Sequence, residues 1–307
     1  MADAPPQPAK PTVKKPPKPP GPRPDLATLA GIAVAMFGIL GGLLLEHGSI
    51  QDVAQTTAAM IVMGGTLGAV LVTTPLAVFL RACRGLGSAF FEQASSTSAT
   101  IETLIQYASK ARKNGIVSLE AEAAAIHDPF LRKAVNLAVD GTDLQELRKM
   151  MELDIALGEQ RSEAEAKVWE AAGGYAPTVG IIGAVMGLIQ VMKNLEDIKA
   201  VGHGIAVAFV ATVYGVGSAN IFFLPVANKL RARIRYAMLL KDLILEGIVG
   251  IVEGLNPTLI RVKLEAYNQE PPKVRKAKPA KAPGPAANAK PGARPATGGN
   301  QVSRDAT

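Results

Sequence analysis

The sequence is poor in the residues on which enzymes and metal sites usually depend. Its 307 residues include one cysteine, Cys83, and only three histidines, and charged residues make up 19%. A single cysteine excludes an internal disulfide, and the scattered histidines argue against a metal or catalytic cluster. No phosphate-binding glycine loop and no Ser-His-Asp or paired-carboxylate set can be identified. We therefore predict that the protein is not an enzyme and holds no cofactor.

Basic residues are concentrated at the two ends of the chain. Residues 1–25 hold five Lys or Arg against two Asp, and residues 270–307 hold eight against two acidic residues, whereas the whole chain has a net charge of only +7. The body between them is therefore slightly acidic, which argues against a nucleic-acid groove. Both ends are also rich in proline, so we predict disordered tails at 1–25 and 270–307. Such tails are either linkers or segments attracted to anionic lipid.

Four long apolar runs occupy much of the remaining chain. They cover residues 26–45, 57–80, about 172–192 and 204–227, and none contains Asp, Glu, Lys, Arg or His. Each has about 20 residues or more, which is enough to cross a ~30 Å hydrocarbon core at about 1.5 Å per residue. They predict two pairs of transmembrane helices, at 26–80 and 172–227, in a multi-pass membrane protein.

The placement of Lys and Arg predicts the orientation of these helices. The connection 46–56 has neither residue, and the connection 193–202 has only Lys193 and Lys199, offset by two acidic residues. By the positive-inside tendency, both termini and the segment 81–171 lie in the cytoplasm.

Residues 81–171 and 228–269 are polar segments with helical periodicity. Apolar residues follow the spacing i, i+3, i+4, i+7 at Ile101, Leu104, Ile105 and Ala108. Asp143, three residues before Glu146, predicts the start of another helix. No segment has the pattern of a strand. The sequence thus predicts an all-α polytopic membrane protein with four transmembrane helices, a cytoplasmic helical domain at 81–171 and cytoplasmic C-terminal helices at 228–269.

The apolar runs contain glycines and prolines instead of charges. Glycines lie four residues apart at Gly38/Gly42, Gly64/Gly68 and Gly183/Gly187. Small residues at this spacing either pack helices within one chain or form a smooth wall for a partner helix. Pro177 and Pro225 are predicted near the cytoplasmic ends of the third and fourth spans, where each permits a bend. Because the spans carry no charge, either the chain does nothing with ions or a partner supplies the ionisable group.

Four motifs together resemble the MotA/PomA family of flagellar stator subunits. They are "ARKNGIVSLEAE", "DPFLRKAVNLAVDGTD", "APTVGIIGAVMGLIQVM" and "GIAVAFVATVYGVGSANIFFLPVANKL", and the resemblance covers about residues 26–265 in order and spacing. It implies an ion-conducting stator subunit of the bacterial inner membrane that couples proton flow to torque. It also implies a ring of five copies around a MotB-type partner, which has a single membrane helix with an aspartate and a peptidoglycan-binding domain. The ring would act on a rotor switch protein of the FliG type.

The resemblance assigns roles to particular residues. A rotor-contacting role is implied for Arg112 and Glu120, with Lys113 and Glu122 beside them, although without the resemblance all four would be a solvated face. A role in the ion path or in conformational change is implied for Pro177, Ala184, Thr212, Tyr214 and Pro225. For Thr212 the alternative is a hydroxyl bonded back to the carbonyl of the preceding turn.

Ala184 bears on the identity of the ion. Sodium-driven relatives resemble "IGT" where this chain has "IGA", so Ala184 stands where they have a threonine. A sodium ion needs oxygen ligands in the membrane, and an alanine offers none, so we predict a proton-driven motor. Two alternatives remain open from the sequence: a stator-like energy transducer of the TolQ/ExbB type that serves gliding or the cell envelope, and a membrane scaffold without ion flux.

Overall fold

The computed structural model describes residues 23–92 and 97–268, and these are almost entirely helical. Nearly all of the two predicted tails, 1–22 and 270–307, lies outside the described residues. The first apolar run forms α1 (Leu26–Leu45), and a short helix, α2 (Ile50–Val53), follows it. The second run forms α3 (Thr56–Ala59), a π turn (Met60–Gly64) and α4 (Gly65–Thr73). We call α1 span 1, and we call α3, the π turn and α4 together span 2.

The second apolar run does not continue as one helix to residue 80, and this part of the prediction is wrong. Thr74 is extended, with φ −128° and ψ 131°, because the following Pro75 disfavours the helical conformation of the residue before it. Two further helices follow the break, α5 (Leu76–Gly85) and α6 (Gly87–Phe90).

One small strand pair was not expected. β1 (Arg23–Pro24) pairs antiparallel with β2 (Phe91–Glu92), so the chain just before span 1 is tied to the segment after α6. The prediction of disorder through residue 25 is therefore wrong at its last three residues. Such a pairing depends on residues nearly 70 positions apart in the chain, and two-residue strands leave no periodic pattern.

The polar middle segment folds as a set of helices. They are α7 (Thr97–Asn114), a 3-10 turn (Ile116–Leu119), α8 (Glu120–Ala123) and α9 (Pro129–Val139). The next helix, α10, runs without a break from Leu144 to Lys193, and the side chain of Asp143 caps it as predicted. At about 1.5 Å per residue it is ~75 Å long, so one rod joins the polar domain to the third apolar run.

The last part of the chain repeats this design. α11 (Ile198–Gly217), a π turn (Ser218–Phe223) and α12 (Leu224–Val252) form one continuous rod, and α13 (Pro257–Glu265) is the last helix of the described residues. We call the apolar part of α10 span 3, and we call the apolar part of the α11–α12 rod span 4. Within the described residues, four helices are long and apolar enough to cross a membrane, which confirms the predicted fold class.

The polar domain has its own apolar core. Side chains of α7, α9, the start of α10, the end of α12 and α13 meet in it, and the largest fully buried ones include Leu104, Leu147, Met151, Leu243 and Ile260. Gly247 of α12 lies directly against Leu104 of α7, because an added Cβ would be 2.7 Å from a Leu104 methyl carbon. The domain is therefore built on the ends of both rods.

Candidate functional site

Spans 3 and 4 pack through glycines. A Cβ added at Gly187 would lie 2.7 Å from the carbonyl oxygen of Gly204, and one added at Gly183 would lie 2.7 Å from the Cβ of Ala211. Gly183 and Gly187 thus serve packing within the chain, the first of the two alternatives for these glycines. Around Gly38, Gly42, Gly64 and Gly68, by contrast, an added Cβ would meet no atom of the described residues within 4 Å.

Pro177 lies inside α10 without ending it. Because proline has no N–H, the carbonyl of Gly173 lacks its usual helical donor at this point. Gly173 faces Leu224 of the other rod, since an added Cβ would be 2.5 Å from a Leu224 methyl carbon. The weak point of α10 is therefore covered by the residue next to Pro225.

Pro225 lies two residues after the π turn Ser218–Phe223. π turns are rare insertions that accommodate a proline or a functional irregularity in a helix. The hydroxyl of Ser218 donates to the Gly215 carbonyl at 3.2 Å, and the Asn220 amide donates to the Val216 carbonyl at 2.9 Å. The α11–α12 rod therefore contains an irregular turn and α10 lacks one helical hydrogen bond at Pro177, and the Gly173–Leu224 contact places these two points at the same level.

Ala184 and Thr212 also share a level, because their preceding residues, Gly183 and Ala211, are in contact. Both are half-buried in the single chain. The Thr212 hydroxyl donates to the Ala208 carbonyl at 3.2 Å, which is the local bond that the sequence left as an alternative. That bond uses the hydroxyl proton and leaves oxygen lone pairs, so Thr212 can still accept a hydrogen bond or contact a cation.

Tyr214 makes a contact that the sequence did not reveal. Its hydroxyl donates to the Val53 carbonyl at 2.5 Å and accepts from the Gln55 backbone N–H at 3.3 Å. Both groups belong to the connection that leads into span 2. Tyr214 therefore ties span 4 to the start of span 2, and its hydroxyl is engaged by the backbone.

The four charged residues predicted to contact a rotor lie around the end of α7. Gly115, with φ 80°, ends this helix, so Arg112 and Glu120 do not share a continuous helix. Arg112, Lys113 and Glu120 are exposed, and none of the three forms an ion pair with a residue of the described chain. Glu122 differs, because it pairs with Lys110 at 2.7 Å. Three of the four are thus available to a partner.

Ion pairs on the predicted cytoplasmic side brace the two rods, and sequence reasoning missed them. The Arg231 guanidinium bonds to Glu170 through two nitrogens and to Glu163 at 2.9 Å, and these hydrogen bonds, from Glu170 first, raise its pKa. Arg81 of α5 pairs with Glu165 of α10 at 3.3 Å. The sequence offers no more than a hint of these pairs, because both acidic and basic residues are frequent in the polar segments next to the apolar runs. In residues 23–92 and 97–268 no three His, Cys, Asp or Glu side chains come together as a metal site.

These features define a class of protein: a polytopic helical membrane subunit with two uncharged, glycine-packed spans that continue into a polar domain. Residues 122–242 match the model of the MotA/TolQ/ExbB proton channel family, and residues 29–115 match the motility protein A N-terminal model. The chain belongs to the motility protein A branch of this family.

Individual relatives and solved structures agree with that assignment. Motility protein A of Aquifex aeolicus is 35% identical over 77% of this chain and 94% of its own length. Chemotaxis protein PomA of Vibrio alginolyticus is 35% identical over 80% of this chain and 96% of its own. The solved MotAB of C. jejuni matches with a TM-score of 0.78 at 31% identity, covering 82% of this chain and 100% of that one. The flagellar MotAB stator complex of Bacillus subtilis matches with a TM-score of 0.73 at 31% identity, covering 78% and 95%.

Proposed function

We propose that this chain is the ring-forming subunit of a proton-driven flagellar stator in the inner membrane, with both termini in the cytoplasm. Relatives include motility protein A and PomA, and the similar solved structures are MotAB complexes, so the chain functions as a flagellar stator subunit with a MotB-type partner. In this proposal five copies surround the partner and act on a FliG-type rotor protein. The role is ion transport coupled to torque, without catalysis of a covalent reaction.

The observation that carries the proposal is that all four apolar runs lack Asp, Glu, Lys, Arg and His. A proton pathway through a membrane needs an ionisable group, so the partner must bring it. The chain's own contribution is a wall of small and apolar side chains at the level of Ala184 and Thr212. Thr212 keeps acceptor capacity there, but Ala184 offers no oxygen, so a sodium ion would lack a ligand that a proton does not need.

The two rods supply a route from the ion path to the rotor surface. Pro177 and the π turn before Pro225 weaken both rods at one level, so a local change there can tilt the rod segments beyond it. Those segments carry the core of the polar domain, where α7 packs on α12 through Leu104 and Gly247. A tilt of the rods therefore displaces α7, whose last turn holds Arg112 and Lys113.

Proton flux into vesicles tests this proposal. The chain alone should give no proton leak above background, because it has no charged group in its spans. Co-expression with a single-span partner that carries a membrane aspartate should produce flux, and Asp→Asn in that partner should abolish it. A robust leak from the lone chain would show that no partner charge is required and would contradict the mechanism.

A further inference from the structure

Asp25, the residue before span 1, connects span 1 to α12. Its carboxylate caps α1 by accepting from two backbone N–H groups of the first turn, at 3.1 and 3.3 Å. The same carboxylate pairs with Lys229 at 2.5 Å and with Arg233 at 3.2 Å. Lys229 and Arg233 lie four residues apart on α12, so they occupy one face of that helix. One carboxylate thus joins the start of span 1 to the side of α12.

Backbone bonds reinforce this junction, which we call the Asp25 clasp. The Asp25 N–H donates to the Phe90 carbonyl at 2.8 Å, and Arg233 also donates to the Phe91 carbonyl. The Asp25 side chain is only 11% exposed. The hydrogen bond from Lys229, the largest cause, lowers the pKa of Asp25 to about 2 despite the opposing effect of burial. The clasp is therefore ionised throughout the physiological pH range.

Span 1 has few other attachments to the chain. None of its 20 residues is buried by the described parts of the protein, whereas spans 2, 3 and 4 all contain buried residues. Lys229 and Arg233 follow Pro225 by four and eight residues. The clasp therefore holds span 1 to the part of α12 that lies directly beyond the π turn and Pro225.

We infer that Asp25 is a positioning residue of the motor, which makes the inner end of span 1 move together with α12 when α12 tilts at Pro225. If α12 moved alone, it would withdraw two cations from a carboxylate that has little access to water, and such a separation is unfavourable. The inference rests on the proposed function, because it assumes that α12 moves when ions pass.

A substitution that keeps the cap and removes the charge separates the two roles of Asp25. Asparagine caps helices as well as aspartate does, so Asp25→Asn preserves the start of α1 and weakens only the ion pairs. Asp197→Asn is the matched control, because Asp197 caps α11 in the same way, at 2.9 and 3.3 Å, is exposed, and forms no ion pair with a described residue.

The measurement is the torque of single stator units, resolved as speed steps while units join a motor one at a time, together with the amount of protein in the membrane. Mutations along a physical coupling path change the coupling by about 2- to 30-fold, so torque per step should fall about twofold or more in Asp25→Asn. The number of steps should not change, and Asp197→Asn should match the parent. Lys229→Gln combined with Arg233→Gln should give the same loss, and adding Asp25→Asn should give no further loss, because all three act through one clasp.

Normal torque per step in Asp25→Asn would overturn the inference. Fewer steps of normal torque would also overturn it, because the residue would then act in assembly alone. If Asp25→Asn does not reach the membrane, Lys229→Gln, which leaves Arg233 on the carboxylate, is expected to give an intermediate loss of torque, and normal torque there would count against the clasp. If the unsubstituted chain produces no motor rotation, that result would contradict the proposed function and not the role of Asp25.

Discussion

The backbones of Gly180 and Gly215 touch. A Cβ added at Gly215 would lie 2.9 Å from the Cα of Gly180, and one added at Gly180 would lie 3.1 Å from the Cα of Gly215. Gly180 lies three residues after Pro177, and Gly215 lies three residues before the π turn Ser218–Phe223. Spans 3 and 4 are therefore in backbone contact beside Pro177 and the π turn, and we expect this contact to act as a pivot for the two rods.

A methyl group at this pivot should force the spans apart. We expect Gly215→Ala to destabilise the protein by about 1–3 kcal/mol, because the neighbouring atoms are backbone and cannot rotate away. The check is the apparent melting temperature of the purified complex. Gly217→Ala is the control, since an added Cβ at Gly217 meets no described atom within 4 Å. Equal melting temperatures for the two variants would contradict the close contact.

Removal of the Tyr214 hydroxyl should loosen the start of span 2. Tyr214→Phe loses the bonds to Val53 and Gln55, and one such hydrogen bond contributes about 1 kcal/mol. We expect a lower melting temperature and faster hydrogen exchange at residues 50–56. Tyr175→Phe serves as the control, because no described group bonds the Tyr175 hydroxyl. Unchanged exchange at residues 50–56 would mean that Tyr214 does not hold this connection.

Charge reversal at the end of α7 should impair the motor without disturbing the protein. In the variant Arg112→Glu with Glu120→Lys, both side chains are exposed and without ion pairs in the described chain, so folding and membrane content should remain normal. Swimming should be impaired and should recover in part with charge reversals in the rotor protein. Lys149→Glu, an exposed reversal on α10, should swim normally. Normal swimming of the double variant would return these residues to a solvated surface.

Asp242 of α12 should make the polar domain less stable as pH rises. Burial, and then the charges of Glu159 and Glu152 on α10 and Glu246 on α12, raise its pKa above the ordinary 3.8. The unfolded state then releases this proton at a lower pH than the native state, so stability falls as pH rises through 3.8 and the raised folded pKa. Asp242→Asn should therefore raise the melting temperature at pH 7 and have little effect below pH 3.8. A lower melting temperature at pH 7 would contradict this environment.

The sequence predicted the features that depend on local composition. The positions of the apolar runs follow from run length, and the start of α10 at Asp143 follows from cap chemistry. It did not predict that α10 continues from the polar domain into span 3. The predicted boundary was placed where polarity changes, but a change in polarity does not break a helix. Nor did it predict the break at Thr74–Pro75, since apolar composition continues across it.

Contacts between distant residues account for the rest. Asp25 and Arg233 are more than 200 positions apart, and the Tyr214 hydroxyl reaches a backbone carbonyl about 160 positions away. Nothing in the sequence around either residue of such a pair indicates which distant residue it contacts. The level shared by Pro177 and the π turn likewise emerges only when Gly173 packs on Leu224.

The central claim, that protons carried by a partner's aspartate past an uncharged wall drive this motor, is tested most directly by rotation under controlled ion gradients. Motors built with this chain should keep turning in sodium-free medium and should stop when a protonophore collapses the proton gradient, because Ala184 supplies no oxygen ligand for sodium. Ala184→Thr offers a hydroxyl at that level and should leave proton-driven rotation in place. Motors that stop on removal of sodium at constant membrane potential would contradict the account.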